Sequence, residues 1–168
     1  MINILKNRLK KGIVTKSISI DKVEIESLGR ELQSAIKKKF GRSFHIREVD
    51  TGSCGACESE IIATTNPIYD LQRFGIDFVA SPRHADALLV TGPVSKNMAL
   101  ALKKTYDAMP FPKFVITLGN CALNGGMFKD SYYVEGGVNK VVPVSFHIEG
   151  CPPAPIDIIK GLLRFVKS

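Results

Sequence analysis

The chain has 168 residues, 45% of them hydrophobic and 23% charged, with a formal net charge of +7. That is enough chain to bury one substantial core, and the composition excludes a disordered polymer. No run approaches the ~18–20 uninterrupted apolar residues of a membrane-spanning helix, and MINILKNRLKKGIVTK has neither a signal-peptide apolar core nor a twin arginine, so a cytoplasmic location is expected.

The charge is unevenly placed. Residues 1–42 hold eleven Lys/Arg against four Asp/Glu, whereas the remaining 126 residues carry twelve of each. The chain therefore reads as a basic N-terminal arm and helix (1–42) joined to an electrically balanced domain (43–168). Clustered Lys/Arg is the footprint of nucleic-acid binding, but no finger, RRM or KH signature accompanies it, and no nucleic-acid partner is expected. An anionic membrane face or an acidic partner subunit suits the arm better.

In chain order, ISIDKVEIESLGRELQSAIKKKFG predicts a helix entered near Asp21 or Ser27 and stopped by Gly41. Its Leu28, Leu32, Ile36 and Phe40 recur every four positions, and lysines crowd its last turn. FHIREVD (44–50) alternates as a strand does. ESEIIATT begins a helix that must end near Asn66-Pro67, and a shorter helical piece lies around YDLQRFG. IDFVA (76–80) predicts a short strand. ADALLVTGPV (85–94) is a continuous apolar run, the pattern of a strand buried on both faces. KNMALALKKTYDAM (96–109) is an amphipathic helix ended by Pro110, and KFVITLGNCA (113–122) a buried strand running into a loop. GGMFKDSYYVEGGVNK is a long irregular insert of the kind that often carries function. VVPVSFHIEGC (141–151) is the last strand-like stretch, and PIDIIKGLLRFVK (155–167) a closing helix. Strands alternating with helices predict an α/β fold with a mostly parallel sheet flanked by helices.

The four cysteines, Cys54, Cys57, Cys121 and Cys151, each follow a predicted strand and sit beside glycine or proline in GSCGAC, LGNC and EGCPP. A parallel sheet gathers the carboxyl ends of its strands at one edge, so all four can meet there. Glycines let the backbone approach closely and supply N–H donors to sulfur. Four thiolates suit a [4Fe–4S] cluster or a tetrahedral zinc. One close pair plus two separated singles fits a cluster better than a zinc ribbon, which takes two close pairs. A redox dithiol would use Cys54 and Cys57 and leave the others idle; four buried structural thiols are the remaining reading. A structural or nucleic-acid-binding subunit with zinc on four thiolates would use the same cysteines with the basic arm.

GSCGACESEI, PRHADALLVTGPV, GNCALNGGMF and EGCPPAPIDIIKGL, spread over residues 44–165, together resemble the cluster-carrying small subunit shared by [NiFe] hydrogenases and respiratory complex I. The resemblance implies a flavodoxin-like fold with one [4Fe–4S] cluster on Cys54, Cys57, Cys121 and Cys151. Complex I subunits have adjacent cysteines at the first motif, whereas the spaced pair Cys54-Gly55-Ala56-Cys57 is the hydrogenase form. A short, single-cluster small subunit without a leader resembles the membrane-bound energy-converting hydrogenases, including the formate hydrogenlyase type. Nickel-free complex I relatives that reduce quinone or another acceptor can keep the same spacing. The implied partners are a large catalytic subunit, a ferredoxin-like cluster subunit and membrane subunits, at the inner face of the cell membrane.

Other residues carry weaker signals. Glu58 and Glu60 could hand on protons beside the cysteines, or simply favour a helix N-terminus. Arg83 and His84 could face the cluster or a partner, while His45 and His147 fit strand positions. Asn124, Gly125 and Gly126 are expected to shape the backbone around Cys121. Phe128, Tyr132 and Tyr133 would form a partner interface or cover the domain's own core.

Overall fold

The computed structural model describes Lys6, residues 9–12 and residues 22–168; most of the basic N-terminal segment lies outside these. Helix α1 (Lys22–Phe40) begins close to the first of the two expected entries. Its Leu32 and Ile36 are buried and Leu28 and Phe40 packed beside them, so its four-residue stripe is its core face. Strand β1 (Phe44–Asp50) follows, then α2 (Ala56–Thr64), a 3-10 turn at Leu71–Phe74 and β2 (Ile76–Phe78). Strand β3 (Ala87–Thr91), the two-residue β4 (Val94–Ser95), α3 (Lys96–Asp107) and β5 (Phe114–Leu118) come next. The chain continues through α4 (Asn120–Asn124), β6 (Val134–Gly136), β7 (Phe146–Ile148) and α5 (Pro155–Lys167).

Five strands form one sheet in the order β2-β1-β3-β5-β7, every neighbouring pair parallel. This is the doubly wound, flavodoxin-like order, whose carboxyl edge is the usual binding edge. Alternation along the strands sorts the core into two layers. Ile46, Leu89, Ile116 and Leu118 face α1 and α5, and Leu88, Val90 and Val115 face Leu102 of α3. Among the described residues no helix is long and apolar enough to cross a membrane.

Four elements differ from their sequence patterns, one being the loop expected after the 113–122 strand, which is helix α4. The 85–94 run is two strands, because Gly92 turns at φ 74° and Pro93 has no N–H to continue the ladder. Val94 then pairs antiparallel with Gly136 in a separate two-stranded sheet, which puts part of the irregular insert in β6. The 141–151 stretch is a strand only at Phe146–Ile148. Val142 is instead buried in the α3-side layer, just past a 3-10 turn at Val138–Lys140.

Candidate functional site

All four cysteines lie at the carboxyl edge of the large sheet. Cys54 sits in the loop after β1, where the Asp50 Oδ1 accepts from the N–H groups of Gly52 (2.8 Å) and Ser53 (2.7 Å). The Thr51 hydroxyl, fully buried, donates to the Thr91 carbonyl at 2.7 Å and ties the loop to the end of β3. Cys57 is the second residue of α2 and Cys121 the second of α4. Cys151 follows β7. Beyond their strands β5 and β7 stay zipped: Gly119 N–H donates to the Ile148 carbonyl (2.8 Å) and Asn120 N–H to the Gly150 carbonyl (2.9 Å). The Asn120 Oδ1 accepts in turn from Gly150 N–H at 3.3 Å.

These links bring the thiols within reach of one another. Cys151 and the Met127 backbone both lie close enough to Cys121 to act on its thiol, Cys151 raising it and Met127 lowering it. Burial, then the Glu58 carboxylate, then the three other cysteines push the Cys57 thiol up to about 12. Burial first, followed by Cys151 and Cys54, raises the Cys121 thiol as well. Four thiolates side by side repel one another, and bound metal relieves that repulsion. Cys54 and Cys151 are exposed, Cys57 and Cys121 half-buried. A depression of ≈ 420 Å³ opens over Cys121 and Cys151, lined also by Asn120, Asn124, Met127 and Lys129.

Two glycines are required by this proximity. A Cβ on Gly119 would come within 2.8 Å of the Cys57 sulfur, and one on Gly126 within 2.8 Å of the Cys121 sulfur. Among the described residues no three His, Cys, Asp or Glu side chains form a group that could hold a single metal ion. The donor set of four thiols with side-chain-free approaches to two of the sulfurs fits an iron–sulfur cluster.

The other sequence candidates divide. Asn124 Oδ1 accepts from Gly126 N–H (2.9 Å) and Gly125 N–H donates to the Cys121 carbonyl (2.8 Å), so this triplet does shape the turn around Cys121. Phe128, Tyr132 and Tyr133 are exposed, Tyr132 at 87%, beside the equally exposed Met127. They do not cover the core, and Met127 lines the depression over Cys121 and Cys151. Glu58 lies in the first turn of α2 with both carboxylate oxygens buried and no hydrogen-bond partner, while Glu60 is half-buried on the same helix. The His147 Nδ1 meets the Thr117 hydroxyl at 2.9 Å, and its Nε2 is buried without a partner. His45 Nδ1 lies 3.2 Å from the His84 carbonyl. Arg83 and His84 do not face the cysteines; they stand toward the amino ends of the strands, with Arg42 and Pro110.

Glu48 was not among the sequence candidates. Burial raises its carboxyl above the usual range, and the nearby Glu58 carboxylate adds to the rise. The signal was present in FHIREVD: Phe44 and Ile46 face inward, so alternation turns Glu48 inward too.

Comparison with known proteins agrees with the motifs. The model of the family described as NADH ubiquinone oxidoreductase, 20 Kd subunit, matches residues 54–165. Formate hydrogenlyase subunit 7 of Escherichia coli is 45% identical over 130 residues, covering 77% of this chain but only 51% of that protein, about half its length. The probable membrane-bound hydrogenase subunit mbhJ of Pyrococcus furiosus is 43% identical over 126 residues, 75% of each chain. Among solved structures, a chain of the membrane-bound sulfane sulfur reductase, an archaeal respiratory membrane complex, superposes with a TM-score of 0.67 at 30% identity, covering 88% of this chain and 75% of that one. With its match spanning both ends of the cysteine set, this chain belongs to the NADH ubiquinone oxidoreductase, 20 Kd subunit family.

Proposed function

We propose that this chain is the electron-relay subunit of a membrane-bound [NiFe] hydrogenase complex, holding one [4Fe–4S] cluster on Cys54, Cys57, Cys121 and Cys151 beside the active site of a large catalytic subunit. The observation that carries the reading is the gathering of all four cysteines at one sheet edge, with glycine where a side chain would strike sulfur. Hydrogenase relatives support the type of complex. When bound, the cluster takes up and releases single electrons. The chain supplies thiolates, the Met127 backbone close to Cys121 and a partly dry setting, the levers that tune a potential. A ferredoxin-like subunit delivers or accepts the electrons, and membrane subunits hold the assembly at the inner face of the cell membrane.

Glu58 is proposed to carry a proton near the redox centre, since its carboxylate is buried and unpartnered beside Cys57. Glu58→Gln should slow turnover of the complex and leave its iron content intact; unchanged turnover removes Glu58 from that role.

A second reading rests on the structural likeness to a sulfane sulfur reductase: the same relay in a nickel-free complex that reduces quinone or another acceptor. Metal analysis of the complex drawn anaerobically from native membranes through this subunit separates the two. Four or more irons per copy with stoichiometric nickel support the hydrogenase. Iron without nickel moves the chain to the nickel-free branch, and zinc without iron overturns both.

A further inference from the structure

A second cavity, of ≈ 650 Å³, lies toward the amino ends of β1, β3 and β5, away from the cysteine edge, and is lined in part by Arg42, His45, Arg83, His84, Asp86 and Pro110. Its charges are not all free. The Asp86 carboxylate accepts from Arg42 at 2.6 and 3.1 Å and from the His45 N–H at 2.8 Å, so Arg42 and Asp86 neutralise each other. Arg83 and His84 are exposed, and neither side chain has a partner among the described residues. The pocket is thus left with an uncompensated guanidinium beside an imidazole.

An apolar anchor adjoins it. Phe111, next in the chain to Pro110, is 85% exposed. The Lys113 ammonium lies 4.8 Å from its ring centroid and is itself held by the Tyr106 carbonyl (2.9 Å) and ring (4.0 Å). A lone exposed phenylalanine is ordinary. One that follows a pocket-lining residue in the chain and has a fixed ammonium over its ring has the composition of a membrane-interface contact, with an aromatic ring for the acyl boundary and cations for the headgroups.

We propose that this pocket binds the phosphate of an anionic phospholipid headgroup, with Arg83 and His84 donating to phosphate oxygens and Phe111 entering the lipid surface. A free phosphate or the carboxylate of an acidic protein would satisfy Arg83 but give Phe111 no apolar surroundings, and the ring decides for lipid. The site lies away from the cysteines, so a lipid contact here leaves the sulfur-bearing edge open to other subunits. It goes beyond the electron-relay reading and does not depend on what the cysteines hold.

The test uses the full chain, without partner subunits, and vesicles of phosphatidylcholine with and without phosphatidylglycerol, read by co-sedimentation. The parent chain should bind the anionic vesicles and lose them as salt rises. Arg83→Gln should weaken binding about fivefold and Phe111→Ser about tenfold, with unfolding midpoints unchanged because both side chains are exposed. Lys104→Gln, an exposed charge on α3, should leave binding within about twofold. Three results overturn the proposal. The Arg83 and Phe111 variants could bind as tightly as the parent, assigning attachment to the basic N-terminal segment. Neutral vesicles could bind as well as anionic ones. Inorganic phosphate could raise the unfolding midpoint of the parent but not of Arg83→Gln while no vesicle binds, reassigning the pocket to a free anion.

Discussion

The Gly119 α-carbon and the Cys57 sulfur stand so close that a Cβ on Gly119 would reach within 2.8 Å of that sulfur. Gly119, at φ 83°, follows β5 and precedes the helix bearing Cys121, and Cys57 lies in the first turn of α2. Two of the four thiols are therefore brought together across one side-chain-free position. Gly119→Ala should cost about 1–3 kcal/mol through overpacking, beyond a backbone cost of about 1–3 kcal/mol at its positive φ, and lower the iron bound per chain. Gly41, at φ 69° with nothing within 4 Å of its would-be Cβ, is the control: Gly41→Ala carries a backbone cost of about 1–2 kcal/mol but should keep its iron. Iron analysis with urea denaturation of both variants checks this. Equal iron loss would mean that destabilisation, not the approach to sulfur, governs loading.

In the metal-free chain the thiols should differ in reactivity. Burial and neighbouring negative charge hold Cys57 near 12, so at pH 8 its thiolate fraction is on the order of 10⁻⁴, against roughly a tenth or more for an ordinary exposed thiol. Iodoacetamide followed by peptide mass spectrometry should label exposed Cys54 and Cys151 first and Cys57 last. Raising the pH should narrow the gap, because Cys57 gains thiolate tenfold per pH unit until it reaches its raised value. Equal rates at pH 8 would contradict this crowded, half-buried setting.

Much of this was legible in the sequence, for reasons that can be named. The strand at 44–50 and the apolar runs feeding Thr91 and Leu118 are local patterns, and a parallel sheet then places their carboxyl ends on one edge. That rule is why four cysteines far apart in sequence could be read as one site. Pairings between distant segments left no such trace. Val94 faces Gly136 through a register that no local period encodes. The placement of Arg83 and His84 at the opposite end depends on how the 79–86 link turns back to start β3, which composition does not reveal. Gly119 looked like any loop glycine until α2 was packed against it.

Acid should weaken the fold through His147. Its Nδ1 is engaged by Thr117 and its Nε2 buried without a partner, and burial lowers its pKa below the ordinary 6.5. The folded chain then binds fewer protons than the unfolded chain between that lowered value and 6.5. Stability is complete above about pH 6.5, falls as pH drops through that window, and loses its slope once both states are protonated. Urea unfolding of the parent and of His147→Gln between pH 5 and pH 8 should diverge at the acid end, with a slope difference of at most about one proton. Parallel curves would show that His147 titrates alike in both states.

Helix α1 meets the rest of the fold at Gly29, where a Cβ would come within 2.3 Å of the Phe74 ring. Phe74 is 2% exposed and flanked by the Arg73 guanidinium, 4.6 Å from its centroid, so the ring has little room to retreat. Helix propensity alone favours Gly29→Ala by about 1 kcal/mol. The collision opposes it by about 1–3 kcal/mol, and the net change should be destabilising. Phe74→Leu alone should also cost stability, through the volume it vacates. In the double variant the alanine methyl fills part of that volume, so the combined loss should fall short of the sum by about 1 kcal/mol or more. A double-mutant cycle by urea denaturation measures that coupling. Strictly additive losses would mean that α1 shifts as a body to admit the methyl group, and that its seat against Phe74 is looser than the packing indicates.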